Sequence, residues 1–182
     1  LEWLRQCPYV VCCDGAANTY IRSGRMPEAI VGDGDSLLPD IKERYASLIH
    51  SEAEQETNDL SKAFRFCLSQ ERKRITIMGA TGKREDHTIG NVSLLADYME
   101  QAEVSMMTDY GIFVPIREDS MFESYIGQQI SIFNMNSTAL SAEGLAYPLS
   151  VFTNWWQGTL NEALAKHFII RTEGKVLVFR TF

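Results

Sequence analysis

The chain changes its hydrophobic rhythm once, near residue 104, and that change limits its architecture more than any other feature. Before it, short apolar runs alternate with helical periodicities in a β-α-β-α order, a pattern that requires parallel strands joined by crossover helices. The predicted strands are residues 9–13, 29–31 and 74–78, each followed by Asp or Gly. A helix is predicted over about 39–49, where Pro39 sits near the first turn and its missing N–H costs nothing. A second covers 59–69, with Leu60, Phe64, Cys67 and Leu68 as the stripe that should face the sheet, and a third covers about 86–100, with Ile89, Val92, Leu95 and Met99 on one side. After residue 104 the segments are short and alternating, as at 111–116 and 129–134, and the chain closes on a predicted hairpin of 168–170 and 176–179 about Glu173 and Gly174. We therefore expect an α/β domain over 1–104 with a parallel sheet and an antiparallel sandwich or barrel over 105–182.

With 182 residues, 45% of them hydrophobic, the chain can bury a sizeable core. Acidic side chains exceed basic ones by seven, and no stretch concentrates Lys and Arg, so nucleic acid is not the expected partner. An acidic protein that binds a polyphosphate needs a divalent cation between its carboxylates and the ligand. Cys7, Cys12, Cys13 and Cys67 lack C-x-x-C spacing and read as buried, reduced thiols in a cytosolic protein. No run is long enough to span a bilayer, and the start has no signal-peptide pattern. The chain begins at Leu1 rather than Met, so a preceding segment is expected.

Four polar motifs follow the strands or open the helices. Val31-Gly32-Asp33-Gly34-Asp35-Ser36 places two carboxylates two residues apart, where both can be aimed at one Mg²⁺ beyond a strand's carboxyl end, although the same composition makes a plain turn. Glu56 to Lys62 starts a helix that Thr57 or Asn58 caps, leaving Asp59 at its positive end and Lys62 one turn on. Met78 to His87 runs from a strand through a Gly-rich loop with Thr81 and Gly82 into a helix, without Walker A spacing. Arg84 there can fork two donors onto phosphate, and Asp86 can bond a substrate or orient His87. Cys13-Asp14-Gly15-Ala16-Ala17-Asn18 offers Asp14 as a helix cap or a ribose contact. His50 and His167 read as structural. Loops at one edge of a parallel sheet converge on one crevice, so these motifs together argue for a site.

The order and spacing of D-G-A-A-N, G-D-G-D-S, T-N-D-L-S-K-A, G-A-T-G-K-R-E-D-H-T-I-G-N, G-L-A-Y-P-L and G-T-L-N-E-A resemble the thiamine pyrophosphokinase family over nearly the whole chain. The resemblance implies a Rossmann-like α/β nucleotide-binding domain followed by a β-sandwich that helps bind thiamine, in a homodimer with a shared site. It implies that Asp33, Asp35 and Asp59 handle Mg²⁺ and phosphate, that Arg84 and Asp86 act near the substrates, and that Asp14, Asn18, Lys62, Thr81, Gly82 and His87 serve the ATP side. Thr159, Asn161 and Glu162 fall on the thiamine side, where Trp156 or Trp155 can stack on a ring or serve as core and interface. Gly34 stands where the family often has an aromatic residue, Ala16 where it usually has Gly, Lys83 and Glu85 where small apolar residues are commoner, and Leu160 where Ser commonly precedes Asn-Glu. The family also has a strand before 9–13, which this sequence is expected to lack. The implied reaction is attack of thiamine's hydroxyl on the β-phosphorus of ATP, with Arg84 or Lys62 offsetting charge and Asp86 as a candidate proton acceptor. The alternatives are a metal-dependent nucleotide or diphosphate hydrolase and a non-catalytic thiamine or nucleotide sensor.

Overall fold

The computed structural model describes residues 4, 6–52, 54 and 56–182, which form two compact units divided between Arg72 and Lys73.

The first unit is built on a three-stranded parallel sheet of β1 (Val11–Cys13), β2 (Ala29–Gly32) and β3 (Ile49–Ser51), in that spatial order. β2 is covered on both faces, which is why its Ala29-Ile30-Val31 run is apolar without alternation. Ile30 packs with Cys12, Ala17, Leu37 and Ile41, the side of helices α1 (Ala16–Arg22) and α2 (Pro39–Arg44). Ala29 and Val31 pack with Ala63 of α3 (Asp59–Ser69). The expected stripe on α3 is only partly the buried one: Phe64 is buried, Leu60, Cys67 and Leu68 are half-buried, and Ala63 and Phe66, outside the stripe, pack on Ala29 and Val31.

The helix expected over 39–49 is shorter. It ends at Arg44, gives a 3-10 turn over Ala46–Leu48, and releases Ile49 and His50 into β3, where they pair with Ile30 and Val31. β-branched Ile49 suits the strand, and His50 packs on Phe66 with ring centroids 4.5 Å apart.

The second unit has a six-stranded sheet ordered β10-β8-β12-β6-β5-β4, made of β4 (Arg74–Met78), β5 (Glu103–Met107), β6 (Gly111–Ile116), β8 (Gln129–Asn134), β10 (Asn161–Glu162) and β12 (Val176–Thr181). β4 and β5 are parallel and the other pairings antiparallel. A three-stranded antiparallel sheet, β7 (Ser120–Glu123), β11 (His167–Thr172) and β9 (Leu140–Glu143), closes the sandwich. Its core joins Phe122, Phe168 and Ile170 of one sheet to Ile130, Ile132, Val176 and Val178 of the other.

The predicted terminal hairpin does not form. β11 pairs with β7 and β9, whereas β12 pairs with β6 and β8, so the two consecutive strands face each other across the core. The connection is tied to a neighbouring loop instead: Lys175 N–H donates to Asn136 Oδ1 at 2.6 Å and Thr172 Oγ1 bonds Ser137 Oγ at 2.8 Å.

The helix expected over 86–100 is two, α4 (Glu85–Ser93) and α5 (Leu95–Tyr98). Leu95 is buried as expected, but Ile89 is 58% exposed and α4 buries none of its residues fully. Among the described residues no helix is long and apolar enough to cross a membrane. All four cysteines are free; Cys7 is exposed, against expectation, while Cys12 is buried.

Candidate active site

The carboxyl edge of the β1–β3 sheet is assembled by two motifs that interlock through Ser36. Asp14 leaves β1 with φ +27 and is 4% exposed; its N–H donates to Val31 O at 2.9 Å and its Oδ2 accepts Ser36 N–H at 3.1 Å. Asn18 holds the other side of the same loop, Nδ2 donating to Ser36 O at 2.8 Å and Oδ1 accepting Leu38 N–H at 3.0 Å. Position 32 must be glycine, because a Cβ there would stand 2.8 Å from Asp14 Cβ with φ at +151. Asp14 is therefore not a side-chain cap for α1, whose N-cap is Gly15; it is a strut under the acidic loop. Its Oδ1 is buried with no hydrogen-bond partner.

Asp33 and Asp35 are both exposed on that loop. Asp33 Oδ1 accepts Asp35 N–H at 3.0 Å, an Asx turn, and Gly34 O accepts Lys42 Nζ at 3.0 Å. Replacing Asn18 with Ala should cost about 1 kcal/mol, since the loop loses two hydrogen bonds, one exposed and one half-buried. Urea denaturation checks this, and an unchanged midpoint would show that the loop stands without Asn18.

On α3 the cap is Asn58, whose Oδ1 accepts Ser61 N–H at 2.9 Å. Asp59 begins the helix, and Lys62, 3% exposed, places Nζ 3.4 Å from Asp59 Oδ1. Burial pushes the Cys13 thiol up to about 12, and the Asp59 carboxylate adds to that rise. Among the described residues no three His, Cys, Asp or Glu side chains are gathered closely enough to hold a metal unaided. Asp33 and Asp35 thus share one exposed loop, and Asp59 opens α3.

In the second unit, β4 runs into the loop that precedes α4. Asn91 Nδ2 donates to Ala80 O at 2.8 Å and pins this loop, on which Thr81 is half-buried and Gly82 exposed. Arg84 forks onto Asp86, Nε to Oδ1 at 3.1 Å and Nη2 to Oδ2 at 2.6 Å, and the guanidinium holds the Asp86 carboxyl below the usual carboxylate range. His87 is exposed, its N–H donating to Asp86 Oδ1 at 2.9 Å.

The sandwich carries a pocket of about 320 Å³ lined by Tyr147, Pro148, Phe152, Gly158, Leu160 and Asn161, among others. Asn161 is buried and shapes it: Oδ1 accepts Tyr147 N–H at 3.1 Å and Nδ2 donates to Tyr147 O at 2.8 Å. Thr159, exposed, donates its Oγ1 to Trp156 O at 2.8 Å, and Trp156 is 73% exposed. Trp155 meets Phe133 edge-on at 6.0 Å. Glu162 accepts from Gln129 Nε2 at 3.4 Å.

Two family models match the chain: "Thiamin pyrophosphokinase, catalytic domain" over residues 2–107 and "Thiamin pyrophosphokinase, substrate-binding domain" over 111–179. The chain belongs to the thiamin pyrophosphokinase family. Thiamine pyrophosphokinase 1 of Oryza sativa subsp. japonica is 30% identical over 129 residues, 57% of this chain and 49% of the relative. The Bacillus subtilis (strain 168) thiamine pyrophosphokinase is 34% identical over 86 residues, 45% of this chain and 40% of the relative. The chain spans about half the length of the curated relatives it matches. The fold is shared with the crystal structure of thiamine pyrophosphokinase from Bacillus subtilis, with a TM-score of 0.82 at 21% identity over 95% of this chain and 87% of that one. It is shared equally with thiamin pyrophosphokinase from Candida albicans, with a TM-score of 0.81 at 20% identity over 98% and 82%.

Within this member of the thiamin pyrophosphokinase family, the first unit brings Asp14, Asn18, Asp33 and Asp35 together around one loop, and the second places Thr159 and Asn161 on one pocket. Sequence reasoning missed Ser36 as the hub, Asn91 as the loop clamp, and Tyr147, Pro148 and Phe152 as lining. Tyr147 and Pro148 had a signal in G-L-A-Y-P-L; Phe152 had none.

Proposed function

We propose that the chain transfers the terminal diphosphate of ATP to the hydroxyl of thiamine, giving thiamine diphosphate and AMP, with Mg²⁺ as its metal. The observation that supports this most is the exposed acidic loop carrying Asp33 and Asp35, held in place by Asp14 through Ser36. Mg²⁺ takes one or two protein carboxylates and fills its octahedron with water and phosphate, so an exposed Asp33–Asp35 pair backed by the unpartnered Oδ1 of Asp14 fits it better than a closed cage would. Held there, Mg²⁺ would supply positive charge against the polyphosphate.

Asp33, Asp35 and Asp59 would hold the metal, with Lys62 close to Asp59 to balance charge. Arg84 would bind phosphate oxygens through its planar fork. Asp86 is then better suited to orienting Arg84 than to taking a proton, because a carboxyl held below its usual range is a weaker base. Thr81 and Gly82, on the Asn91-pinned loop, and His87, in the first turn of α4, would meet the phosphates. Asn18 would act by positioning the acidic loop. On the acceptor side Trp156 offers an exposed ring for stacking, and Thr159 and Glu162 offer polar groups.

The division of labour would follow 1–104 for ATP and 105–182 for thiamine, a reading supported by the 2–107 and 111–179 family matches. The free thiols support a cytosolic setting. A homodimer is supported by Tyr110, Ile126, Trp156 and Phe182, all large, apolar and exposed on the second unit.

The test is whether the purified chain forms thiamine diphosphate and AMP in equal amounts from thiamine, ATP and Mg²⁺, with light scattering of the same sample giving a dimer mass. AMP release that ignores thiamine would favour hydrolysis, and binding without turnover would favour a sensor.

A further inference from the structure

Three non-glycine residues among those described have positive φ: Asp14, Glu71 and Leu160. Two are accounted for locally. Asp14 is rewarded by its bonds to Val31 and Ser36, and Glu71 ends α3 in the left-handed conformation usual there, with Arg72 N–H returning to Cys67 O at 3.0 Å. Leu160 has neither reward. Its φ is +65, a conformation costly for a side chain with a Cβ, and it is 78% exposed, so the fold recovers no burial from it. The backbone around it is fixed: Thr159 is bonded to Trp156 O on one side, and Asn161 is locked to both backbone groups of Tyr147 on the other. The strained leucine is thereby held at the rim of the 320 Å³ pocket, beside Tyr147 and Phe152. Strain retained by an over-determined backbone at a cavity points to function.

We infer that Leu160 is a specificity-determining residue of this pocket, supplying an apolar wall against the planar heteroaromatic ring of the acceptor. The volume is at the lower end of ligand pockets and suits a small two-ring molecule. The inference rests on the reading of thiamine as acceptor.

Calorimetry with thiamine alone, and steady-state kinetics, on the full chain and its Leu160→Ala and Leu160→Gly variants test it. Both variants should bind thiamine about tenfold more weakly, with KM for thiamine rising by the same factor and kcat and KM for ATP unchanged. Leu160→Gly, freed of the Cβ penalty, should melt no lower than wild type. A residue with a purely structural role would not move KM for thiamine alone. Unchanged thiamine affinity in both variants, with a wild type that turns over, overturns the inference and leaves the proposed function standing. A wild type that binds thiamine through Leu160 without making thiamine diphosphate supports the inference and removes the proposed activity. A wild type that does not bind thiamine overturns both.

Discussion

Asp35→Asn should lower kcat on the order of a hundred- to a thousandfold while barely changing stability. Asn has nearly the same size, and the Asx turn survives because it uses the backbone N–H of residue 35 and the carboxylate of Asp33. Asp35 is exposed, so its removal should cost less than about 1 kcal/mol of folding free energy. What changes is charge. ATP brings about four negative charges, and at 4 Å each pair of like charges costs about 4 kcal/mol at an effective dielectric constant of 20. With EDTA present, the variant should therefore bind ATP as well as wild type or better; with Mg²⁺ present, it should bind less productively. A plain turn at residues 33–36 predicts neither effect. Near-normal, Mg²⁺-dependent turnover in both Asp33→Asn and Asp35→Asn would take the metal away from this edge and remove the main support for diphosphate transfer.

The acidic edge was legible because its causes are local. A strand covered on both faces has to be apolar throughout, as β2 is, and a loop that reverses just beyond it draws on Asp and Gly. The cap at Asn58 and the length of α3 follow from equally local rules. Partner choice is not local. Phe168, Ile170, Val176 and Val178 alternate in the same way whether their strands pair with each other or face each other across a sandwich, so the hairpin reading had nothing in sequence to correct it. Ile89 sits at a helical spacing that suggests burial, yet α4 leaves it exposed. Phe152 reaches the pocket only through tertiary packing.

The site's supports share a chemistry that no single motif announces. Asn18, Asn91 and Asn161 each fix a loop belonging to a different element by bonding its backbone, and Asn134 does the same to Ser137 and Phe152. A short amide offers a donor and an acceptor at peptide-like spacing, so it can replace a missing strand partner for an irregular segment. Sequence shows such residues as polar letters in loops. Only the fold reveals which loop each one holds, and this is why Asn18 read as a nucleotide contact while both ends of its amide are engaged at Ser36 and Leu38.

The largest stability effect is expected at Gly158. This residue ends the 3-10 turn Trp155–Gly158 and is buried against β8, where an added Cβ would overlap the carbonyl oxygen of Ile132 and approach Phe152 Cδ2 to 3.1 Å. A flexible side chain could yield, but this obstacle is backbone. Ile132 is fully buried and its strand is held in register by the Ile132–Val178 pairing, so the carbonyl cannot retreat without disturbing the ladder. The turn has to lift instead, taking Phe152 and Leu160, and with them the pocket wall, out of place. Gly158→Ala should therefore cost about 3 kcal/mol and abolish thiamine binding together with stability. Gly90 is the internal control: it lies within exposed α4 and an added Cβ meets nothing within 4 Å, so Gly90→Ala should stabilise the chain by about 0.5–1 kcal/mol through the unfolded state alone. Urea denaturation of the two variants beside wild type tests the pair. If Gly158→Ala unfolded at the wild-type midpoint with thiamine affinity intact, the turn would not be seated on Ile132 and the pocket would not depend on it.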